Sequence, residues 1–456
     1  MLSVLRNRAY RHLFTAQVVA LVGTGLATVA LSLLAYRIAG ADASAVLGTA
    51  LAIKMVAYVA VAPVAGALAG RIPRRSLMVA MDLTRAGVAL ALPFVDRVWQ
   101  VYVLIFLLQA ASAAFTPTFQ ATIPDVLPAE RDYTDALSMS RLAYDLESLF
   151  SPALAAVLLS VVSFNWLFAG TAVGFLASAA LVVSAVLPKP APVERAGGIY
   201  AKAAFGSRLF WATPRLRALL ALDLAVAAAG AIVFVDTVNV VRDHFHRPAG
   251  AVSLALGAYG VGSMLAALAL PRLLRRVGDR AVMLAAAFAL PGVLAAVTAI
   301  TAASAGTGTW LALLAAWALV GAASSAVLTP GGRVIRRSAG DPDLPAAFAA
   351  QFSLSHSCWL LTYPLAGWLA AGAGLPATAA VLGAVALGAA GAAAALWPPR
   401  DPSTLGHTHT DLPAGHPHLA GAHPAAARGA WRHDHHYVID QHHHSWPRPV
   451  RTHTPA

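Results

Sequence analysis

Gly66-Ala-Leu-Ala-Gly-Arg-Ile-Pro-Arg-Arg75 is a short basic loop set between two long apolar runs. The run before it, near 44–69, and the run after it, near 77–95, each approach or exceed the roughly 20 residues that cross ~30 Å of hydrocarbon as a helix. Arginine beside proline is a natural place for a chain to leave a bilayer and turn back. Reading outward from this loop, the same alternation predicts helices near 13–36, 44–69, 77–95, 99–121, 136–160, 164–187, 216–240, 249–270, 281–302, 307–329, 346–370 and 375–397. The expected fold is an all-α membrane protein of twelve transmembrane helices in two six-helix bundles, followed by a tail.

Composition agrees. A soluble domain carries roughly 25% charged residues; this chain carries 11%, against 59% hydrophobic, with a mean hydropathy of +0.68. A water-soluble enzyme is therefore not expected. The single cysteine, Cys358, excludes an intrachain disulfide framework and a cysteine-based zinc module. No nucleophile–base or zinc-hydrolase motif is present, so no catalysis is expected.

The net charge of +12 is placed by topology rather than by nucleic acid. Twenty Lys and Arg residues fall at the N-terminus and in every second loop, against Arg37, Arg97, Arg242 and Arg247 on the other side. The positive-inside rule then puts both termini in the cytoplasm. Met1 to Arg11 is basic and runs straight into a full-length apolar segment, so no cleavable leader is expected.

The predicted organisation is a bundle over 1–187, a linker over 188–215, a second bundle over 216–397 and a tail over 398–456. Tyr200, Phe205, Leu209, Phe210 and Trp211 beside Lys202 and Arg208 suggest an amphipathic linker helix on the inner membrane face. Two sets of six spans suit a transporter with a site near the bilayer midplane.

Gly66 to Arg75, followed by Asp82 and Arg85 in the third helix, resembles the major facilitator superfamily over about residues 1–397. The family's loop usually has Asp at the position of Gly70 and Gly at that of Pro73. The resemblance implies the facilitator fold and a gating set of Gly66, Arg71, Arg74, Arg75, Asp82 and Arg85. Ala114-Phe-Thr-Pro117, Ile123-Pro124 and Ser151-Pro-Ala-Leu-Ala resemble the exporter branch that includes siderophore exporters. The last is a degenerate antiporter motif without its usual Gly before Pro152.

The tail holds 12 of the 16 histidines. Twelve helices followed by such a tail resemble the bacterial nickel-resistance exporters, which implies Ni2+ as cargo, with Co2+ as a second. Neutral imidazole suits Ni, Cu, Zn and Co. His407-Thr-His409, His416-Pro-His418, His433-Asp-His435-His436 and His442-His443-His444 place rings close enough to chelate from a flexible chain. The surrounding Pro, Gly and Ala predict a disordered segment carrying several exchanging chelates. The plain alternative is compositional drift in a solvated tail.

Charged groups inside a bilayer are functional candidates. Asp82 and Arg85, three apart, share a helix face, as do Arg141 and Asp145, four apart. Glu147 lies about 200° around the helix from Asp145, which leaves it as the better proton or cation carrier unless it pairs with another group such as Lys54. His356 and Cys358 point apart for the same reason; His356, with Tyr363 on its face, is the ligand candidate, against the ordinary role of a packed histidine. Asp223 and Asp236 are about 20 Å apart along one helix and cannot share an ion. Asp236 is expected at the interface. Gly257-Ala-Tyr-Gly-Val-Gly262 has the glycine spacing of a phosphate loop but no following Lys-Ser, so close helix packing explains it better.

The candidate substrate and proton path is thus Glu147, Asp145, Asp223, His356 and Lys54. The candidate metal ligands are His407, His409, His416, His418, His433, His435, His436, His442, His443 and His444. The leading expectation is a monomeric, proton-coupled Ni2+ exporter in a bacterial cytoplasmic membrane, with lipid, protons and metal ions as partners, no resident cofactor and no nucleic acid. Export of an organic compound with an incidental tail is the second reading, and a non-transporting metal buffer or sensor the third.

Overall fold

The computed structural model describes residues 2–39, 43–68, 72–187, 199–248, 250–402, 404–410, 412–413, 416–425, 430–440 and 442–447. The first half contains α1 (Arg8–Ala39), α2 (Ala43–Leu68), α3 (Arg74–Ala91), α4 (Val98–Val126), α5 (Glu130–Leu159) and α6 (Asn165–Ser184). A linker helix, α7 (Ile199–Ala212), precedes the second half: α8 (Pro214–Asn239), α9 (Gly250–Leu273), α10 (Asp279–Ala302), α11 (Thr307–Leu328), the short α12 (Gly331–Arg336) and α13 (Leu344–Leu396). Phe205, Leu209 and Phe210 bury one side of α7, while Trp211 is exposed.

Among the described residues, nine helices are long and apolar enough to cross a membrane. At 53 residues α13 would run about 80 Å, far beyond one bilayer, and it breaks at Gly374 (φ 83°, ψ 168°). Only glycine takes that backbone cheaply, and Pro376 just beyond starts the next span. Counting α13 as two, and adding α2 and the charge-bearing α5, recovers the twelve segments read from the sequence. α5 carries Arg141, Asp145 and Glu147 along its length.

Each half buries its own apolar surface: α1 packs on α5 and α6, and α3 on α4 and α6, while α8 runs along α13 and α9 along α11. The α9–α11 approach explains the glycine-rich stretch, since a methyl at Gly262 would strike the Ala318 carbonyl. The halves meet where α2 lies against α13 and α5 against α9.

Within the tail, the described residues pair into strands. They form an antiparallel sheet of β1 (Thr404–His409), β2 (His423–Pro424) and β3 (Trp431–His436), in the order β1-β3-β2. Tyr437 and Ile439 are buried in the same apolar cluster as α8, α10, α11 and α13, with Leu405 and Trp446 packed against it. Composition alone misses this because the second half supplies the apolar partner that the tail lacks.

Candidate functional site

Inside the bundle, α2, α5 and α13 bring Lys54, Glu147 and His356 into one electrostatic neighbourhood. Lys54 interacts with Glu147 on one side and with His356 on the other. Its ammonium lies 5.6 Å from the Tyr58 ring centre, and that ring meets His356 edge-on at 4.7 Å. The Tyr58 hydroxyl donates to Gln109 at 2.8 Å. His356 Nδ1 faces the Phe352 carbonyl at 2.6 Å; the carbonyl only accepts, so Nδ1 carries the proton and Nε2 keeps its lone pair. Glu147 bonds to Ser151, and its Oε1 would lie 2.8 Å from a methyl placed at Gly25. Lys54, the alternative partner considered for Glu147, is an electrostatic neighbour of it.

The other candidates stand apart. Asp145 pairs with Arg141 at 3.2 Å, and Arg141 crosses to Ser263 of the second half at 2.8 Å. Asp223 accepts from Gln351 at 2.7 Å while its second oxygen is buried without a partner. Asp236 is buried rather than interfacial, at 1% exposure, a correction that follows from close packing around the end of α8. Cys358 is buried and its thiol donates to the Leu354 carbonyl at 3.5 Å. Tyr363 packs on Trp359. Among the described residues, no three potential metal ligands converge within the bundle.

Of the gating set, Gly66 lies in α2, Arg75 is exposed, and Arg71 lies outside the described residues. Arg74 pairs with Asp125 and donates to the Ala121 carbonyl at 2.8 Å. Asp82 pairs with Arg85 and accepts from Ser178 at 2.7 Å, while Arg85 is held between the Phe115 and Phe175 rings. A further clamp joins the halves on the face of the basic loops. Arg333 reaches Glu130 at 2.6 Å, Asp279 at 2.9 Å and Thr134, and Arg336 donates to the Pro128 carbonyl at 2.7 Å. Sequence reading missed Asp125, Glu130 and Asp279, because each meets its arginine only through tertiary packing.

The tail holds the densest set of ligands. Strand alternation turns His407 and His409 of β1 and His433 and His435 of β3 to one side, with His407 directly opposite His433. His418 and His443 close over them. His407 Nε2 lies 3.0 Å from His409 Nε2, 3.2 Å from His433 Nε2 and 2.9 Å from His443 Nε2; His418 Nε2 lies 3.2 Å from His409 Nε2. Two overlapping quartets result: His407, His409, His418 and His433, and His407, His418, His435 and His443. His416, His436, His442 and His444 stand outside both. Instead of several separate chelates, the rings form one cluster. Burial pushes the His407 and His418 imidazoles down to about 4, so they are neutral, with lone pairs free, at pH 7.

The Major Facilitator Superfamily model matches this chain twice, over residues 13–290 and 224–435. The chain belongs to the major facilitator superfamily. It is 25% identical over 45% of its length to an uncharacterized facilitator-type transporter of Bacillus subtilis, covering 50% of that protein. It is 28% identical over 29% of its length to macrolide efflux protein A of Enterococcus faecalis, covering 42%. The match thus spans half or less of the length of these relatives. In fold, this facilitator resembles the human organic anion transporter MFSD10 (TM-score 0.70, 14% identity, 85% of this chain and 99% of that one). It also resembles a bacterial homologue of the iron transporter ferroportin in its outward-facing state (TM-score 0.67, 15% identity, 85% and 99%). It is a membrane-spanning transporter with efflux-type relatives, and not an enzyme.

Proposed function

We propose that this facilitator exports a divalent transition metal, Ni2+ first and Co2+ second, from a bacterial cytoplasm in exchange for protons. The observation that carries the reading is the convergence of tail imidazoles within a few ångströms. Such a set serves a late first-row metal and offers nothing to an apolar drug. Fold likeness does not choose the cargo, since the neighbours include both an organic anion transporter and a homologue of an iron transporter.

In this reading the basic face is cytoplasmic, and the Arg333 and Arg336 clamp holds that side shut, leaving the central site to the other side. Alternating access rocks the two halves about Lys54, Glu147 and His356. A carboxylate and one imidazole bind a dication weakly, which suits a site that must also release it. Lys54 occupies the charge position beside Glu147 between cargoes, and metal and proton compete for the same lone pairs, the basis of exchange. Asp223 and Asp145 would tune the path from its flanks, and the protein would act as a monomer without a resident cofactor.

A second reading, export of an organic compound, is favoured by the macrolide efflux relatives and by the aromatic surroundings of Lys54. Energised nickel efflux from preloaded cells tests both, comparing the full chain with Glu147→Gln at matched expression. Loss of efflux in the variant supports metal exchange through the bundle. A full chain no faster than vector cells overturns it and moves the organic cargo to first place.

A further inference from the structure

We infer that His407, His409, His418, His433, His435 and His443 form one cluster that holds a single late first-row divalent ion on four of its rings at a time, and that this ion locks the tail sheet onto the second half of the transporter. The inference shares with the export reading the premise that the tail binds metal. It does not depend on what the bundle carries.

The tautomers make the argument. His407 Nδ1 faces the Leu405 carbonyl at 3.1 Å, His435 Nδ1 the His436 carbonyl at 2.7 Å, and His443 Nδ1 the Asp440 carboxylate at 2.9 Å. These oxygens can only accept, so all three rings carry the proton on Nδ1 and turn a bare Nε2 inward. With both rings neutral, His407 Nε2 and His443 Nε2 confront each other at 2.9 Å, lone pair to lone pair. His435 Nε2 is buried without any partner. A divalent cation at the centre resolves both problems, whereas a proton on His443 would answer only the first and leave His435 Nε2 unpartnered.

The spacing fits such a cation. With metal–imidazole bonds of about 2.0–2.1 Å, neighbouring nitrogens lie about 2.9 Å apart in an octahedron and about 3.3 Å apart in a tetrahedron. Four of the nitrogen pairs here lie 2.9 to 3.2 Å apart, and each quartet lies within 4.8 Å. Asp440 supplies the outer support that orients a ligating histidine: it also accepts from the backbone N–H of His442 at 2.7 Å and of His443 at 2.9 Å.

The ion also explains how so small a sheet persists. Segments of this size rarely build a sufficient core without a staple, and the lone cysteine lies in the bundle. Docking completes the fold. Asp401 accepts from Arg215 at 3.1 Å, Arg337 at 2.9 Å and the Trp397 indole at 3.1 Å. Arg215 in turn stacks 5.0 Å from the Trp446 ring and donates to the Arg337 carbonyl at 2.6 Å. The tail thereby braces the end of α12, whose Arg333 and Arg336 clamp the other half.

The test uses the purified full chain in nanodiscs, titrated with nickel chloride by calorimetry and followed by hydrogen–deuterium exchange. We expect one tight site per chain. His407→Ala should weaken it at least ~100-fold and Asp440→Asn ~10–100-fold, while His444→Ala and His423→Ala stay within about two-fold of the full chain. Nickel should slow exchange over 404–409, 431–436 and 337–338, and His407→Ala should remove that protection. Several weak sites, similar small losses at every histidine and no protection would overturn the inference in favour of a flexible chelator, with nickel efflux left standing. A tight, protected site in a chain that exports no nickel would uphold the inference and discard the export reading.

Discussion

The bundle and the tail treat the same kind of ligand in opposite ways. In the bundle, His356 and Glu147 stand on different helices with the Lys54 ammonium interacting with both. In the tail, six imidazoles form two overlapping quartets that share His407 and His418, backed by Asp440 and two carbonyls. The first arrangement can meet a cation and let it go; the second can only retain one. A transport path needs the former because each cycle includes release, and a site built for retention belongs outside it.

Breaking one region without the other is the sharpest check. Glu147→Gln should reduce nickel efflux to the rate of vector cells while calorimetry finds the tail site unaltered; a change at both would show that the regions are not separable. Asp401→Ala should be the next largest perturbation, since it leaves Arg215, 1% exposed, without its carboxylate. Breaking a buried pair costs about 3 kcal/mol, seen as a fall of several degrees in melting temperature. For the same reason a tail deletion should end at Pro402 rather than at Trp397, and in that form efflux should drop only partially.

Acid should loosen the tail sheet. His407 and His418 sit at about 4, below the free value of about 6.5. The docked sheet is then fully favoured above pH 6.5 and progressively disfavoured as pH falls towards 4. Exchange protection of β1 and β3 should fade across that window. A smaller effect is expected at Gly374→Ala, whose φ and ψ lie in a region essentially reserved for glycine, at a cost of about 1–3 kcal/mol; a melting curve that does not shift would show that the break in α13 tolerates a side chain.

How much of this was legible differs between the two regions. The spans were, because each apolar run carries its own reason to be helical and buried, and even the charged α5 keeps helical spacing between Arg141 and Asp145. The short-range pairs were also visible, since Asp82–Arg85 needs only one helix turn. Asp125 was not: 51 residues separate it from Arg74, and nothing local links them. Lys54 could be named as a partner for Glu147, but only as one alternative.

In the tail the signal was present and was given another meaning. His407-Thr-His409 and His433-Asp-His435 have the two-residue period that puts side chains on one face of a strand. Without visible apolar residues to hold a sheet, the spacing passed for flexible chelation. Tyr437, Ile439 and Trp446 look isolated in sequence and find their core only against the second half.

The amino-acid sequence by itself determined the membrane class, the twelve helices and the chemistry of the tail ligands, because hydrocarbon burial and side-chain type act residue by residue. Tertiary structure decided which charges meet, which six histidines face inward and where the tail rests. Those depend on distances between segments far apart in the chain, and only packing sets them.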